Sequence, residues 1–311
     1  MAPKETRMSA LFKAHLALAA VALIYGANYL IAKTVMPNPI GPNSFILLRV
    51  LGACICFWFI AARKIQIPEK KDLGRFILCG LTGVAINQLL FFNGLSLTSP
   101  INSSIIMTSN PIMVMLISAL IYKQAITTKK AVGLALGAIG AISLLLLSTG
   151  DHSKLSNPLG DLCILINSMS YAFYLVLVKP LMKKYSPLTV VAWVFTVGLI
   201  AVSPFGGLGI TDIAWSSLDV YQWLAVGYVI LFVTFLTYLL NILALQHTTA
   251  TTASAYIYFQ PLLAIFFSYL FTQLTGTDYV SDFTLMKMAC GVCIIVGVYM
   301  VSERQTLEKT L

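Results

Sequence analysis

Two amide–proline pairs, Asn110–Pro111 and Gln260–Pro261, interrupt stretches that are otherwise almost wholly apolar. An amide side chain carries two donors and an acceptor oxygen, and a hydrocarbon surrounding bonds to neither. Proline adds to the imbalance, because within a helix it brings no donor and clashes with the carbonyl four residues back. The carbonyls freed here are those of Met107 and Ile257. Such groups need protein, water or a solute to bond to. Two readings are compatible: contact with a polar solute, or a helix kink whose amides bond neighbouring helices.

Cations make a second candidate constellation. Lys33 and Arg49 fall in consecutive apolar segments, close to the short connection between them, and no Asp or Glu in a segment interior neutralises either. Paired cations of this kind can bind a carboxylate or phosphate. The competing reading has Lys33 snorkelling to headgroups and Arg49 capping helix-end carbonyls. Further polar residues fall where neighbouring segments would meet: Tyr25 and Asn28, Asn87 and Gln88, Asn167, Tyr171 and Tyr174, and Thr237, Tyr238 and Asn241. Facing lipid would be unfavourable for them, so they are expected to line an interior cavity. Tyr256, Tyr258 and Phe259 would supply flat walls for an apolar or aromatic solute, although tyrosines near helix ends also serve as interface anchors. The candidate solute-binding set is thus Asn28, Arg49, Asn87, Gln88, Asn110, Tyr171, Tyr174, Tyr238, Asn241, Tyr256 and Gln260. Pro111, Pro261 and Lys33 are candidates for structural or gating roles.

The elements that must position these residues follow from composition. Of the 311 residues, 59% are hydrophobic and 10% charged, at a mean hydropathy of +0.88; no soluble domain buries that much apolar surface. A bilayer core about 30 Å thick requires about 20 apolar residues per helix. That length picks out ten segments, near 14–35, 44–62, 74–96, 101–122, 131–149, 159–181, 188–207, 221–245, 252–274 and 284–302. Alternating ten-residue strands are absent, so the expected class is an all-α integral membrane protein. The first segment is long for a secretory signal and lacks a small-residue cleavage site, so it is expected to be retained.

Charge sets the expected orientation. Sixteen of the twenty basic residues fall in the N-terminal tail, in alternate connections and in the C-terminal tail, whereas the opposite connections hold Asp151, Asp161, Asp212, Asp219, Asp278 and Asp282. Both termini are therefore expected in the cytoplasm, in a plasma membrane of the bacterial inner-membrane kind. The same asymmetry explains the net charge of +9 without nucleic acid as a partner. The expected partners are the lipid bilayer and a small-molecule substrate, with the chain as a monomer.

A repeat appears at a shift of 150 residues, where GLSLTSPINSSIIMTSNP at 94–111 lies without gaps over ALQHTTATTASAYIYFQP at 244–261. YGANYLIAK at 25–33 overlays YAFYLVLVK at 171–179. Five segments thus repeat as five, 14–149 and 159–302. An odd number inverts the second copy, an arrangement common in secondary transporters.

YGANYLIAK, FILLRVLGA at 45–53, and GLSLTSPINSSIIMTSNPIMVMLISALIYKQAIT at 94–127 followed by Gly133 resemble the EamA-type family of the drug/metabolite transporter superfamily. The resemblance covers nearly the whole chain, in two copies. It implies a ten-helix transporter of small metabolites, most often outward, without naming the metabolite. One departure stands out: Gln124, and Gln273 in the second copy, occupy positions where many members carry Glu. Alternating access by the two repeats is expected, with an amino acid or related organic solute as cargo. Multidrug or lipophilic-cation efflux is the alternative, followed by a membrane sensor or scaffold. An intramembrane enzyme would need a constellation such as H-E-x-x-H or a buried Ser with a buried His, and none is present.

Coupling stays open at this level. His15, His152 and His247 fall at segment ends or in connections, so Na⁺ coupling, facilitation and proton exchange through tyrosine or water all fit. No phosphate-binding G-x-x-x-x-G-K-[ST] loop is present, and no cofactor or metal site is expected. Cys54, Cys56, Cys79, Cys163, Cys290 and Cys293 are read as small packing residues. Gly133, Gly137, Gly140, Gly291 and Gly297 are read as sites of close helix contact.

Overall fold

The computed structural model describes residues 4–62, 64–123, 127–150, 157–248, 250–280 and 284–302. Gln124 lies outside these residues, as do Arg63, Asp151, His152, Lys154, Asp282, Arg304 and Lys309. The first half consists of α1 (Lys4–Ile31), α2 (Pro42–Ala61), α3 (Lys70–Gly80), α4 (Ile86–Leu97), α5 (Pro100–Met107), α6 (Asn110–Tyr122) and α7 (Thr128–Gly150). The second half consists of α8 (Pro158–Met182), α9 (Pro187–Gly207), α10 (Val220–Tyr228), α11 (Thr237–Leu245), α12 (Ala250–Ala255), α13 (Phe259–Thr275) and α14 (Leu285–Ser302). No strand occurs among the described residues. Among the described residues eight helical spans are long and apolar enough to cross a bilayer, and two shorter apolar stretches, Ala131–Gly140 and Leu285–Gly297, lie in α7 and α14. The chain is an all-α integral membrane protein.

Local sequence explains where the helices start. α2, α5, α8 and α9 each open on proline, whose missing donor is of no consequence in a first turn. The residue before often supplies the cap: Ser99 Oγ accepts from the Asn102 amide at 3.0 Å, and Asn157 Oδ1 from the Leu159 amide at 2.9 Å.

Four of the spans are irregular in the middle. Between α3 and α4 the chain makes π-helical turns over Leu81–Ala85, and between α10 and α11 it does so over Val229–Leu236. Such turns recur at functional sites and displace carbonyls from the regular ladder. Partners from the other half take these up: Ser170 Oγ donates to the Thr82 carbonyl at 2.7 Å, and the Tyr238 hydroxyl to the Gly83 carbonyl at 2.6 Å.

The two prolines act differently from the expected kink. α5 stops at Met107, the Thr108 and Ser109 amides close tighter turns onto Ile105 and Ile106 at 3.0 and 2.9 Å, and α6 begins at Asn110. Pro111 therefore sits in the first turn of a new helix, where it relieves the clash it would have caused in a continuous one. Pro261 has the same place in α13, after a 3₁₀ turn over Tyr256–Tyr258.

Glycines set the closest helix approaches. A Cβ on Gly160 of α8 would lie 2.8 Å from the Gly94 carbonyl oxygen of α4, and one on Gly94 would lie 2.9 Å from the Gly160 carbonyl oxygen. α7 packs on α14 in the same way, with the Cβ direction of Gly297 aimed 2.5 Å from the Gly133 carbonyl oxygen. These contacts lie within one chain. Asp161, which the charge count places in a connection, is instead buried in the first turn of α8, and Lys287 is buried at the start of α14. Helix ends extend beyond the apolar core of a span, so charge alone misassigns their first turn.

Candidate functional site

A cavity of ≈ 70 Å³ lies between α1, α2, α4, α8, α11 and the broken α12–α13 span. Nine of the eleven residues expected to bind a solute line it. Asn28, Arg49, Asn87 and Gln88 come from the first half, and Tyr171, Tyr238, Asn241, Tyr256 and Gln260 from the second. Two do not. Asn110 turns away and donates to the Ser168 carbonyl of α8 at 2.7 Å. Tyr174 packs between Tyr171 and Tyr238, with its ring where a Cβ on Gly83 would be. Both residues join the two halves behind the cavity. Pro111, Pro261 and Lys33 also fall outside the lining, Lys33 in a 3₁₀ turn that follows α1.

Hydrogen bonds hold much of this wall in place. Gln88 Nε2 donates to the Tyr238 hydroxyl at 2.7 Å, and these two residues are repeat counterparts at the 150-residue shift. Tyr29, one turn beyond Tyr25, donates from its hydroxyl to Gln260 Oε1 at 2.7 Å. The Asn167 amide donates to the Asn87 carbonyl at 2.7 Å, and Thr237 Oγ1 to the Tyr25 hydroxyl at 3.1 Å. Each of these bonds crosses between the halves.

Arg49 is the only charged side chain in the described lining. It is 2% exposed, its Nε donates to Thr234 Oγ1 at 2.9 Å, and its guanidinium carbon stands 4.1 Å from the centre of the Phe92 ring. The threonine belongs to the second π-helical segment and itself donates to the Val229 carbonyl at 2.7 Å. Arg49 therefore does not cap a helix end. Its Nη1 has no hydrogen-bond partner among the described residues, and the same holds for Asn241 Nδ2, Asn28 Oδ1 and Asn167 Oδ1. The cavity wall thus presents two donors and two acceptors, one donor carrying full charge, against Phe91, Phe92 and Tyr171 as apolar surface. Buried polar atoms left in this condition are destabilising unless something bonds to them.

Some of this lining is absent from the sequence-derived set. Tyr29 could have been included, because it follows Tyr25 by one helical turn and shares its face. Phe91, Phe92 and Met107 carry no signal that separates a cavity wall from ordinary core.

The repeated architecture around a polar core agrees with comparisons to known proteins. The model of the EamA-like transporter family matches residues 12–146 and again 158–303. The chain belongs to this family. Its relatives include the uncharacterized transporter YyaM of Bacillus subtilis, 24% identical over 260 residues, which cover 82% of this chain and 85% of that one. An uncharacterized transporter of Archaeoglobus fulgidus is 23% identical over 94% of this chain and 98% of its own length. A WAT1-related protein of Arabidopsis thaliana is 28% identical over 60% of this chain and 58% of its own. A crystal structure with 16% identity superposes at a TM-score of 0.60, covering 95% of this chain and 97% of the other, which supports the fold. Like its EamA relatives, the chain is a membrane transporter of the drug/metabolite type.

Proposed function

We propose that this transporter moves a small carboxylate-bearing metabolite, of the amino-acid or related organic-acid class, outward by alternating access of its two halves. The observation that carries the reading is Arg49, a buried guanidinium at the cavity wall with no acidic residue among the described lining. A solute carboxylate would complete its hydrogen bonding at Nη1, with Asn241 Nδ2 as a second donor. Asn28 Oδ1 and Asn167 Oδ1 would accept from an ammonium or amide on the same solute. Phe91, Phe92 and Tyr171 suit an apolar side chain.

The basic-residue asymmetry supports a plasma membrane with both termini cytoplasmic, of the bacterial inner-membrane kind. Use of the α7 and α14 glycines within one chain supports a monomer. Lipophilic-cation efflux is disfavoured, because a buried guanidinium repels a cationic cargo in a low-dielectric cavity.

The test is counterflow of labelled amino acids, organic acids and a lipophilic cation in proteoliposomes of the purified protein. Exchange of a carboxylate-bearing solute, weakened about 10- to 100-fold by Arg49→Gln as loss of a charge-assisted hydrogen bond predicts, is the expected result. Exchange of the lipophilic cation alone, or unchanged exchange in Arg49→Gln, would sink the proposal.

A further inference from the structure

A second concavity, ≈ 620 Å³, opens where the N-terminal half of α1, the C-terminal end of α8 and the end of α11 come together. Its charged and titratable lining is of one kind: Lys179 from α8 and Lys183 just after it, His15 from α1 and His247 after α11, with no acidic residue in the described lining. Neither lysine forms an ion pair among the described residues; the nearby Lys184 takes Glu69 and Asp72 at 2.6 Å each.

α1 and the α8 segment each contribute lining residues to both this concavity and the central cavity. On α8, Asn167, Tyr171 and Leu175 line the cavity, and the same row continues in steps of four residues to Lys179 and Lys183 in the second concavity. Each step of four residues turns only about 40° further around the helix, so the row spirals slowly along the segment, and the twelve residues from Tyr171 to Lys183 rise about 18 Å. On α1 the row runs from Leu11 and His15 into Leu18, Ala22 and Tyr25. A polar contact joins the two linings, where His15 Nδ1 and the Tyr256 hydroxyl are 2.8 Å apart.

We propose that the second concavity is an anion-collecting vestibule that passes carboxylate-bearing solutes to the central cavity, with the His15–Tyr256 contact at the junction. Concave surfaces of one charge sign concentrate counter-charged solutes by one to three orders of magnitude. The lysines, on this account, do more than fix topology. The identity of the cargo rests on the proposed function above; the anion preference of the vestibule does not.

The experiment measures local charge without any transported solute. Thr248, a neutral vestibule residue, is changed to cysteine in the full chain. Its reaction with the anionic sulfonatoethyl methanethiosulfonate is compared with that of the cationic trimethylammonium analogue in nonionic detergent. Mass spectrometry of the peptide carrying position 248 lets the six native cysteines stay. Rates are normalised to free cysteine.

An anionic-to-cationic rate ratio about tenfold or more above the free thiol is expected. Lys183→Gln, at an exposed position, should reduce it, and adding Lys179→Gln should bring it close to the free-thiol value. Millimolar benzoate should slow the anionic reagent selectively. A ratio equal to that of the free thiol, or one unmoved by the lysine variants, overturns the vestibule and leaves the Arg49 reading untouched. Failure of the Arg49 reading shows instead as unchanged counterflow in Arg49→Gln.

Discussion

The first turn of α8 and the stretch of α1 around His15 are related by the internal repeat, yet they are built differently. Overlaying Tyr171 on Tyr25 places Asp161 on His15 and Gly160 on Ala14, and the 150-residue shift places Gly94, Thr98 and Asn102 on Ala244, Thr248 and Thr252. At the Asp161 end, Thr98 Oγ1 and Asn102 Nδ2 both donate to the buried carboxyl group, and Gly94 and Gly160 let the backbones touch. At the His15 end alanines, Ala14 and Ala244, replace the two glycines, and His15, Thr248 and Thr252 line an open vestibule. One sequence plan thus gives a clamp on one face and an opening on the other. Polar pairing and backbone contact make the difference: where a carboxyl group meets two donors beside two glycines, the helices close.

Asp161→Ala breaks this contrast most severely. It removes an acceptor shared by two buried donors, a loss of about 2–5 kcal/mol from two hydrogen bonds and the groups they leave unpaired. Hydrogen–deuterium exchange over 94–104 and 158–165 should quicken by an order of magnitude or more, while 244–248 stays as it was. His15→Ala at the matching position touches only the Tyr256 contact and should alter exchange severalfold at most. Equal effects at both ends would refute the asymmetry.

Glycine swaps sharpen it. In Gly160→Ala the new methyl group meets the Gly94 carbonyl at 2.8 Å and Leu97 Cβ at 2.9 Å, an overpacking of about 1–3 kcal/mol. Thermal unfolding in detergent should therefore drop by several degrees. Ala14→Gly at the counterpart forfeits helix propensity, about 1 kcal/mol, and one buried methyl group but creates no clash, and should lower it less. A larger loss from Ala14→Gly would mean that the vestibule end carries the tighter helix contact.

Tyr238→Phe probes the region where the two halves meet. Its hydroxyl donates to Gly83 O and accepts from Gln88, so its removal should destabilise by about 1–3 kcal/mol. Both ends lean on this contact, and exchange should rise in α4 and α11 alike. A rise confined to one half would show that the halves are held together elsewhere.

Much of this arrangement can be read from the chain, for identifiable reasons. A polar side chain in an apolar stretch has few places to go, so Asn28, Gln88, Asn241 and Gln260 announce an interior position, and all four reach the cavity wall. Rotation about a helix axis is less legible. Asn110 begins α6 after a two-residue turn, and that turn, invisible to a periodicity count, aims it at Ser168. The π-helical segments leave no composition signal, since they form where carbonyls find partners such as Ser170 and Tyr238 in the distant half. Asp161 reads as part of a connection because its span begins with a proline and a cap rather than with apolar residues.

The smallest expected effect concerns how the vestibule face is held without a buried clamp. There Lys184 bridges Glu69 and Asp72 at 2.6 Å, and Tyr185 donates to Asp72 at 2.7 Å. Hydrogen bonding and charge from Lys184 and Lys71 hold the Glu69 carboxyl below its ordinary value. Desolvation lowers the Lys184 ammonium, but its bonds to Asp72 and Glu69 outweigh this and leave it above the usual lysine value. A depressed carboxyl stabilises the fold above the unfolded carboxyl value and loses that contribution as pH falls through the folded one. The raised ammonium contributes below the unfolded lysine value and is lost only as pH rises through its folded one. Thermal stability should therefore be flat across neutral pH and decline a little on acidification below the ordinary carboxylate range. Exposed pairs contribute little and are screened by salt, so Lys184→Gln should flatten that decline, as should high salt. A steep acid loss that survives both would place the pH sensitivity outside this exposed network.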